Sequence, residues 1–490
     1  MYDPGCSDHK LVTAELHVGR PSTCARRFTY RNIKIIDPAT FVAKLNAMSV
    51  CTAPADDVNL FADQLDRDIT DVLDQLAPRR TRTKRCGKRA NHWVSDDAIA
   101  AKRQRRRLER RWKRTQLNSD RIAYRKACRS ANYHITKSRQ SFYHQRLQEA
   151  DGNDGLKWRV VRELLHADER KSYSSDEAST LCNSFSLFLM DKLSCIADIV
   201  RQRLTSTPAL ICSPLARVCS ATLSSLEPAT VQEVADIIRL LPQKTSPLDC
   251  MPVSLLKSST DTMAPLIARL ANLSFTSGVF PSRYKAGQVT PLLKKPSLPA
   301  DDPANYRPIT NLHTFSKILE KLFLSRLRPH VMSSGHYCRF QSAYRKGHST
   351  ETALLRVMND IQRAAGQGLC TALLALDISA AFDAVHHETL LDRARTVFGV
   401  NDVALDWIRS FVSGRTQQIV VGSEKSTVFV SSSGVPQGSV LVPMLFGMYV
   451  SPVGDVVAQH RVHFHQYADD MQLYVALRPL DCVLILAVEH

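Results

Sequence analysis

Two short segments constrain this chain more than anything else in it: Leu376-Asp-Ile-Ser-Ala-Ala-Phe-Asp383 and Tyr467-Ala-Asp-Asp470. Each sets a carboxylate beside an apolar, strand-like run, and 92 residues separate Asp377 from Asp469. Thr371-Ala-Leu-Leu-Ala-Leu376 is nearly all apolar, as expected of a strand buried on both faces. Asp377 closes it, where a carboxylate can meet water and metal. Val462 and Phe464 alternate before Tyr467, and Leu473, Val475 and Leu477 alternate after Asp470. A period of two on both sides of a tight polar step reads as a β-hairpin whose tip presents Asp469 and Asp470. Carboxylates so arranged suit Mg2+, which takes hard oxygen ligands. Two such ions about 3.5–4 Å apart can clamp an in-line displacement at phosphorus. Asp377 and Asp469 are the expected bridging pair, with Asp470 a weaker or outer ligand. Read in isolation, Asp-Asp is equally a simple turn between strands, because Asp favours turns.

Further blocks remove that ambiguity. Ser433-Gly-Val-Pro-Gln-Gly-Ser439 precedes the apolar stretch Val440 to Val450, and its Gly and Pro allow a close backbone approach to a substrate. Upstream lie Asn305-Tyr-Arg-Pro-Ile309, Phe315-Ser-Lys-Ile-Leu-Glu-Lys321 and Gln341-Ser-Ala-Tyr-Arg-Lys-Gly-His-Ser-Thr350. In this order, ending in the Asp-Asp hairpin, the blocks resemble the fingers and palm of a non-LTR (LINE-type) retrotransposon reverse transcriptase. The jockey and chicken-repeat-like branch is the nearest, over residues 226–478. The resemblance implies an α+β fold with right-hand polymerase fingers and palm. It implies two Mg2+ ions, with Mn2+ as an alternative, and an RNA template, a DNA primer and deoxynucleoside triphosphates as partners. It makes Asp377, Asp469 and Asp470 the catalytic, metal-holding residues.

The same resemblance assigns substrate contacts. Arg345 would grip the incoming triphosphate, a task that suits a planar, bidentate guanidinium. Arg307 would line the fingers near template or triphosphate, and Lys294 and Lys295 would touch backbone. Phe382 falls where reverse transcriptases carry a bulky steric gate against a ribose 2′-hydroxyl. Gln437 would lie against the template–nucleotide pair. For each cation the plain alternative is a solvated surface charge. Two positions depart from the family pattern. Val442 stands where Gly precedes Pro443, in a place that calls for close packing. His386 stands where another residue is usual. The run His460, His463, His465 lacks a partner cluster for zinc and reads as ordinary strand residues.

Charge is distributed unevenly. The chain carries a formal +18, yet residues 79–146 alone hold 23 Lys or Arg against 4 Asp or Glu, a net of +19. One segment therefore supplies the whole excess, which is an electrostatic footprint for nucleic acid. Aromatics interleave it: Trp93, Trp112, Tyr124, Tyr133, Phe142 and Tyr143. Ala98 to Gln116 holds strong helix formers and no Pro or Gly, and Asp120 to Ala150 spaces Ala127, Ala131 and Ile135 helically. The pattern predicts two long basic helices joined near Asn118-Ser119, gripping phosphates without sequence choice and weakening steeply with salt. A nuclear-localisation signal or an unliganded basic face are the alternatives.

The remaining features bound the setting. Thirteen cysteines without a Cys-x-x-Cys pair argue against structural zinc and against a secreted disulfide framework. No signal peptide opens the chain, and no run of about 18 apolar residues offers a membrane span. These point to a cytoplasmic or nuclear intracellular protein; oligomeric state is not legible. Ser7-Asp8-His9-Lys-Leu-Val12 resembles the last motif of the endonuclease that precedes the polymerase in this family, so residues 1–20 read as its remnant, with His9 unable to form a nuclease site. Residues 21–78 read as linker with a helix near Val58 to Leu76, and 79–150 as the basic helical region. Residues 151–225 read as helical linker, with helices from Gly155 to His166 and Ala178 to Arg203. Residues 226–370 read as fingers, opening with Thr230 as a helix cap, and 371–490 as a partial palm. The thumb is expected to be absent, and the terminal run Cys482 to Val488 to be exposed. Three functions compete. They are an RNA-directed DNA polymerase, a catalytically inactive nucleic-acid-binding fragment, and a viral RNA-templated RNA polymerase. Ala468 and the bulky Phe382 argue against the third.

Overall fold

The computed structural model describes residues 25–85, 93–164, 175–206 and 221–478, apart from the single positions 296, 379, 432 and 461. The supposed endonuclease remnant at 1–20 and the run 482–488 lie outside these residues. The described residues fall into two compact units, 25–30 with 81–164 and 31–80 with 175–478.

The first unit is built on a helical hairpin. Asp96–Thr115 and Asn118–Glu149 form the two basic helices, joined by Gln116 and Leu117. Ser95 caps the first, its hydroxyl accepting from the Ala98 amide, and Asp96 and Asp97 sit in the first turn, where they complement the helix dipole. Gln116 closes that helix in a left-handed conformation at φ 55°. Small side chains let the helices approach: Ala98, Ala127 and Ala131 are buried between them. Trp112 stacks on Tyr124 at 5.5 Å, and Arg111 and Thr115 converge on Asp120 near the bend. Most of the Arg and Lys side chains stay exposed, so the positive charge faces solvent. The helix Asp154–Leu164 follows, tied by the Arg146–Glu163 ion pair at 2.7 Å.

The second unit has a helical core. Among its helices are α1 (Val58–Leu76), α2 (Ser175–Ser206), α3 (Thr260–Ser277), α4 (Thr314–Ser333), α5 (Thr350–Gly366), α6 (Asp402–Val412) and α7 (Val442–Val450). Trp407 on α6 is fully buried, stacks on Phe323 of α4 at 3.9 Å and donates to Ser274 of α3 at 2.8 Å. From Arg31 onward, the stretch expected to be linker contributes to this core. Phe61, Leu65, Ile69 and Leu73 recur every four residues on α1, and all are buried. A polar tie accompanies them: Asp66 accepts from Arg283 Nε at 2.5 Å and from the Tyr284 hydroxyl at 3.1 Å. Cys250 and His313 bring ligand atoms within 4.8 Å of Asp66. The resident Arg283 guanidinium opposes a cation there, and burial keeps the Cys250 thiol well above its ordinary pKa. The expected cap also forms, with Thr230 Oγ accepting from Glu233 at 3.1 Å at the head of Val231–Arg239.

Two sheets carry the rest. Strands β1 (Ala286–Leu293), β2 (Tyr306–Asn311), β4 (Arg415–Val421) and β5 (Glu424–Lys425) run in the order β2-β1-β4-β5, with β6 (Phe429–Ser431) also on β4. The other sheet is antiparallel, ordered β3-β8-β7, from β3 (Cys370–Asp377), β8 (Asp470–Leu477) and β7 (His463–Tyr467). The sequence places β3 correctly but not its burial. All its residues but Thr371 are exposed, Leu374 at 55%. Among the described residues the strand pairs with one neighbour, β8, and its apolar composition cannot itself supply a covering layer. In β8 the buried residues are Met471 and Tyr474, not the alternating set Leu473, Val475 and Leu477. Tyr474 is drawn inward by its hydroxyl, which donates to Asp360 of α5 at 2.7 Å. Among the described residues, no helix is long and apolar enough to cross a membrane.

Candidate active site

The hairpin forms where the alternation predicts it, and its register brings the carboxylates together. Asp470 opens β8 directly opposite Asp377, the last residue of β3, and on its other side opposite Tyr467. Side chains directly opposed on an antiparallel pair share a face, so Asp377 and Asp470 project together. Asp469 precedes in the turn, behind Ala468 in a left-handed conformation at φ 59°. Burial, then the Asp469 and Asp377 carboxylates, hold the Asp470 carboxyl above the usual carboxylate range. The backbone thus makes Asp470 the direct cross-strand partner of Asp377, with Asp469, the expected metal-bridging partner, one residue before it in the turn.

A third segment completes the turn. Phe340 to Ser342 runs parallel to β7, with the Gln466 amide donating to Phe340 at 3.0 Å and the Ser342 amide to Gln466 at 2.9 Å. Gln341 is buried, and its side chain grips the turn from within. Oε1 accepts from the Ala468 amide at 2.9 Å and the Ala343 amide at 3.1 Å, while Nε2 donates to the Ala468 carbonyl at 3.0 Å. Sequence reasoning quoted the block that begins with Gln341 but gave that residue no task. Tyr344 follows, left-handed at φ 62°, its phenol pKa raised by burial first and then by Asp469 and Tyr467. Ala380, three residues past Asp377, is also left-handed at φ 54°. Non-glycine residues in this region carry strain of order 1–3 kcal/mol, and such residues concentrate at functional sites. Here three border one carboxylate group.

The other named residues distribute as follows. Arg345 is half-buried, donates to the carbonyls of Arg339 and Gln341 at 3.1 and 3.4 Å, and lies 5.8 Å from the Tyr337 ring. Arg307 is exposed on β2, opposite Leu292. Phe382 is half-buried with its ring 5.1 Å from Phe446 of α7. Gln437 lines a small cavity with Pro308, Thr310, Asp383 and Gly434, and its carbonyl accepts from the Thr310 amide at 2.8 Å. Around it, backbone meets backbone. A Cβ on Gly438 would lie 2.3 Å from the Thr310 carbonyl oxygen, and one on Gly434 would lie 2.9 Å from the Asp383 Cα. A separate groove of about 300 Å³ runs beside Asp377 and Asp470, with Leu354, Leu376, His465 and Gln472 in its walls. His465 itself bonds Ser342 at 2.8 Å, and His463 stacks on Tyr474.

Glu320 is a second residue whose task the sequence left unread. It is fully buried on α4 and accepts from Ser316 at 2.8 Å, from Ser439 at 2.5 Å and from the Val440 and Leu441 amides at 2.7 and 3.2 Å. It thereby anchors the Gly-rich loop at the head of α7, the end of a helix dipole that favours a carboxylate. A charge between the apolar Leu319 and Leu322 was the available signal. Val442 begins α7 and is buried in the core, so the branched side chain is accommodated there.

Residues 293–483 match the family described as reverse transcriptase (RNA-dependent DNA polymerase). The chain is 26% identical over 391 residues to the probable RNA-directed DNA polymerase from transposon BS of Drosophila melanogaster, covering 76% of this chain and 42% of that one. It is 29% identical over 329 residues to the RNA-directed DNA polymerase from mobile element jockey of the same organism, covering 64% and 35%. It is 32% identical over 250 residues to the putative 115 kDa protein in type-1 retrotransposable element R1DM, also from Drosophila melanogaster, covering 50% and 23%. The chain thus spans less than half the length of these relatives. The matched region, which holds Asp377, Asp469 and Asp470, is a reverse transcriptase domain, and the chain is similar to proteins named as RNA-directed DNA polymerases of transposable elements.

Proposed function

We propose that this chain extends a DNA primer on an RNA template by two-metal nucleotidyl transfer, with residues 226–370 as fingers and 371–490 as part of a palm. The observation that carries the proposal is the register placing Asp470 opposite Asp377, with Asp469 adjacent in the turn. The donor set fits the metals the family implies. All three groups are hard oxygen donors, and the Asp470 carboxyl, raised by burial first and then by the Asp469 and Asp377 charges, stands where a divalent cation would offset negative charge. Asp377, Asp469 and Asp470 would hold Mg2+, or Mn2+ in its stead. Bound there, the ions would stabilise the charge that develops on the attacking and leaving oxygens.

The chain's own residues supply orientation. Gln341 fixes the turn that aims Asp469. Arg345, at the end of the same segment, offers a guanidinium to the triphosphate once its carbonyl contacts are exchanged for phosphate. Phe382 takes the steric-gate position against a 2′-hydroxyl, and Gln437 and Gly438 let the 433–439 loop approach the template–nucleotide pair closely. Arg307, exposed on β2, would contact template or triphosphate. The primer 3′-hydroxyl attacks the α-phosphate in line and pyrophosphate leaves. In the first unit, the exposed charge of the basic helices would hold RNA or DNA backbone through phosphate contacts.

That basic hairpin also favours a second reading, a chain that binds nucleic acid without polymerising. Mg2+-dependent extension of a DNA primer on an RNA template, with Asp469→Asn alongside, separates the two. Incorporation by the wild type that the mutant loses, with binding nearly intact in both, supports the polymerase. Equal extension by both refutes the site assignment. Salt-sensitive binding with no incorporation by either leaves the second reading.

A further inference from the structure

The helix α2 lies wholly outside the matched residues 293–483, yet one of its faces runs into the cavity lined by Gln437. The contacts recur every three or four residues. Cys182 is buried and its thiol donates to the Glu424 carbonyl at 3.4 Å. Phe185 is buried with its ring edge-on to Tyr306 at 4.8 Å. Leu189 and Leu193 line the cavity itself. Between them Lys192 Nζ pairs with Asp383 Oδ2 at 2.9 Å, across 191 positions of sequence. A helix held at 182, 185, 189 and 193 has a fixed rotation, so the ammonium is delivered rather than left to wander.

Asp383 is the residue after Phe382. Both sit on the turn that begins at the left-handed Ala380, and the Asp383 and Ala384 amides both donate back to the Ala380 carbonyl. The far side of the turn is bonded to the Gly-rich loop, through the Val435 amide to Phe382 and the Gly434 amide to Val385, each at 2.9 Å. The Asp383 side chain is 14% exposed and that of Lys192 31%. Removing one partner of a largely enclosed ion pair leaves the other without its compensating charge. Without Lys192 it would relax by turning toward water, and the 380–385 turn would carry Phe382 with it.

We propose that Lys192 is a positioning residue for nucleotide selection: through Asp383 it sets the turn that places the Phe382 ring. The inference rests on the reading of Phe382 as the steric gate. It makes a helix from before the matched region part of the nucleotide pocket.

The test uses the full chain in steady-state primer extension, comparing each deoxynucleotide with its ribonucleotide. Lys192→Met should raise KM for the deoxynucleotide and narrow the preference over the ribonucleotide, each by about tenfold, with a smaller change in kcat. Lys192→Arg should stay near wild type, because charge is kept. Adding Asp383→Asn to Lys192→Met should recover most of the loss, because the stranded carboxylate is gone. Wild-type KM and preference in Lys192→Met, beside an inactive Asp469→Asn, would overturn the inference while leaving the polymerase reading intact. Equal losses in Lys192→Met and Lys192→Arg would overturn it as well. A wild type that does not polymerise fails the polymerase reading, and amide exchange then decides on Lys192. The Asp383, Ala384 and Val435 amides should exchange faster in Lys192→Met but not in Lys192→Arg, with α6 unchanged; unaltered exchange would end the proposal.

Discussion

Truncating Gln341 tests how the carboxylate turn is held. Gln341→Ala removes three hydrogen bonds at once, two to the Ala468 peptide groups and one from the buried Ala343 amide. Each is worth about 1 kcal/mol net, and an amide left unsatisfied adds to that, so opening of the turn should become easier by about 2–4 kcal/mol. The left-handed Ala468 makes the turn depend on this grip, because an L-residue in that conformation carries about 1–2 kcal/mol of its own. Amide hydrogen exchange at Ala468 should accelerate on the order of 30- to 1,000-fold, the same free energy expressed as a ratio. Primer extension should fall at least as far, since misplacement of about 1 Å can cost about 100-fold.

Two companion variants sharpen the argument. Gln341→Glu is nearly isosteric and keeps both acceptor bonds, but it turns the Nε2 donor into an oxygen facing the Ala468 carbonyl and adds a charge beside Asp469. It should lose activity at neutral pH in spite of its shape. Ala468→Gly in the Gln341→Ala background removes the left-handed strain and should recover about 1 kcal/mol, roughly fivefold in exchange. Wild-type protection and extension in Gln341→Ala would show that the β7–β8 ladder alone holds the turn, and the reasoning would fail.

Two further outcomes follow from single contacts. Gly438→Ala sets a Cβ 2.3 Å from a backbone carbonyl at φ +132°, whereas Gly422→Ala at φ +64° meets nothing within 4 Å. The first should lower stability by about 3 kcal/mol or more and the second by about 1–2, read as shifts in denaturant midpoint; equal shifts would discredit the close approach of the 433–439 loop to Thr310. Because burial, and then the Asp469 and Asp377 charges, raise the Asp470 pKa, the carboxyl keeps its proton to higher pH than usual, and a cation must displace it. Mg2+ binding near about pH 5 should therefore release protons and near about pH 8 almost none, measured by calorimetry in buffers of different ionisation enthalpy. Asp377→Asn removes one repelling charge and should shrink the release; proton release independent of pH would contradict the clustering.

What the sequence made legible here is what a few consecutive residues decide among themselves. The hairpin around Asp469 announces itself because period-two flanks and a polar step are local, and the basic helices because composition sets helix formation residue by residue. The Thr230 cap is the same kind of fact. What stayed hidden needs a partner that sequence distance conceals. Cys370–Asp377 reads as a buried strand because it is apolar, but burial is a property of what lies on top of it, and its leucines are exposed. Residues 21–78 read as linker, although the four-residue spacing on α1 already required a core to receive it. Gln341 reaches Ala468 across 127 positions, Glu320 reaches Val440 across 120, and Lys192 reaches Asp383 across 191. Each is a polar side chain tied to a distant turn or loop; Gln341 and Glu320 stand inside quoted blocks, yet neither carries the metal or phosphate chemistry that makes a block readable. The division has a physical cause. Metal and phosphate chemistry demands particular side chains at fixed local spacing, whereas holding a strained turn demands only that a suitable donor or charge arrive from somewhere. The motif therefore tells where the chemistry sits, and the long-range polar contacts tell which residues outside it keep the left-handed turns at Ala380 and Ala468 from relaxing.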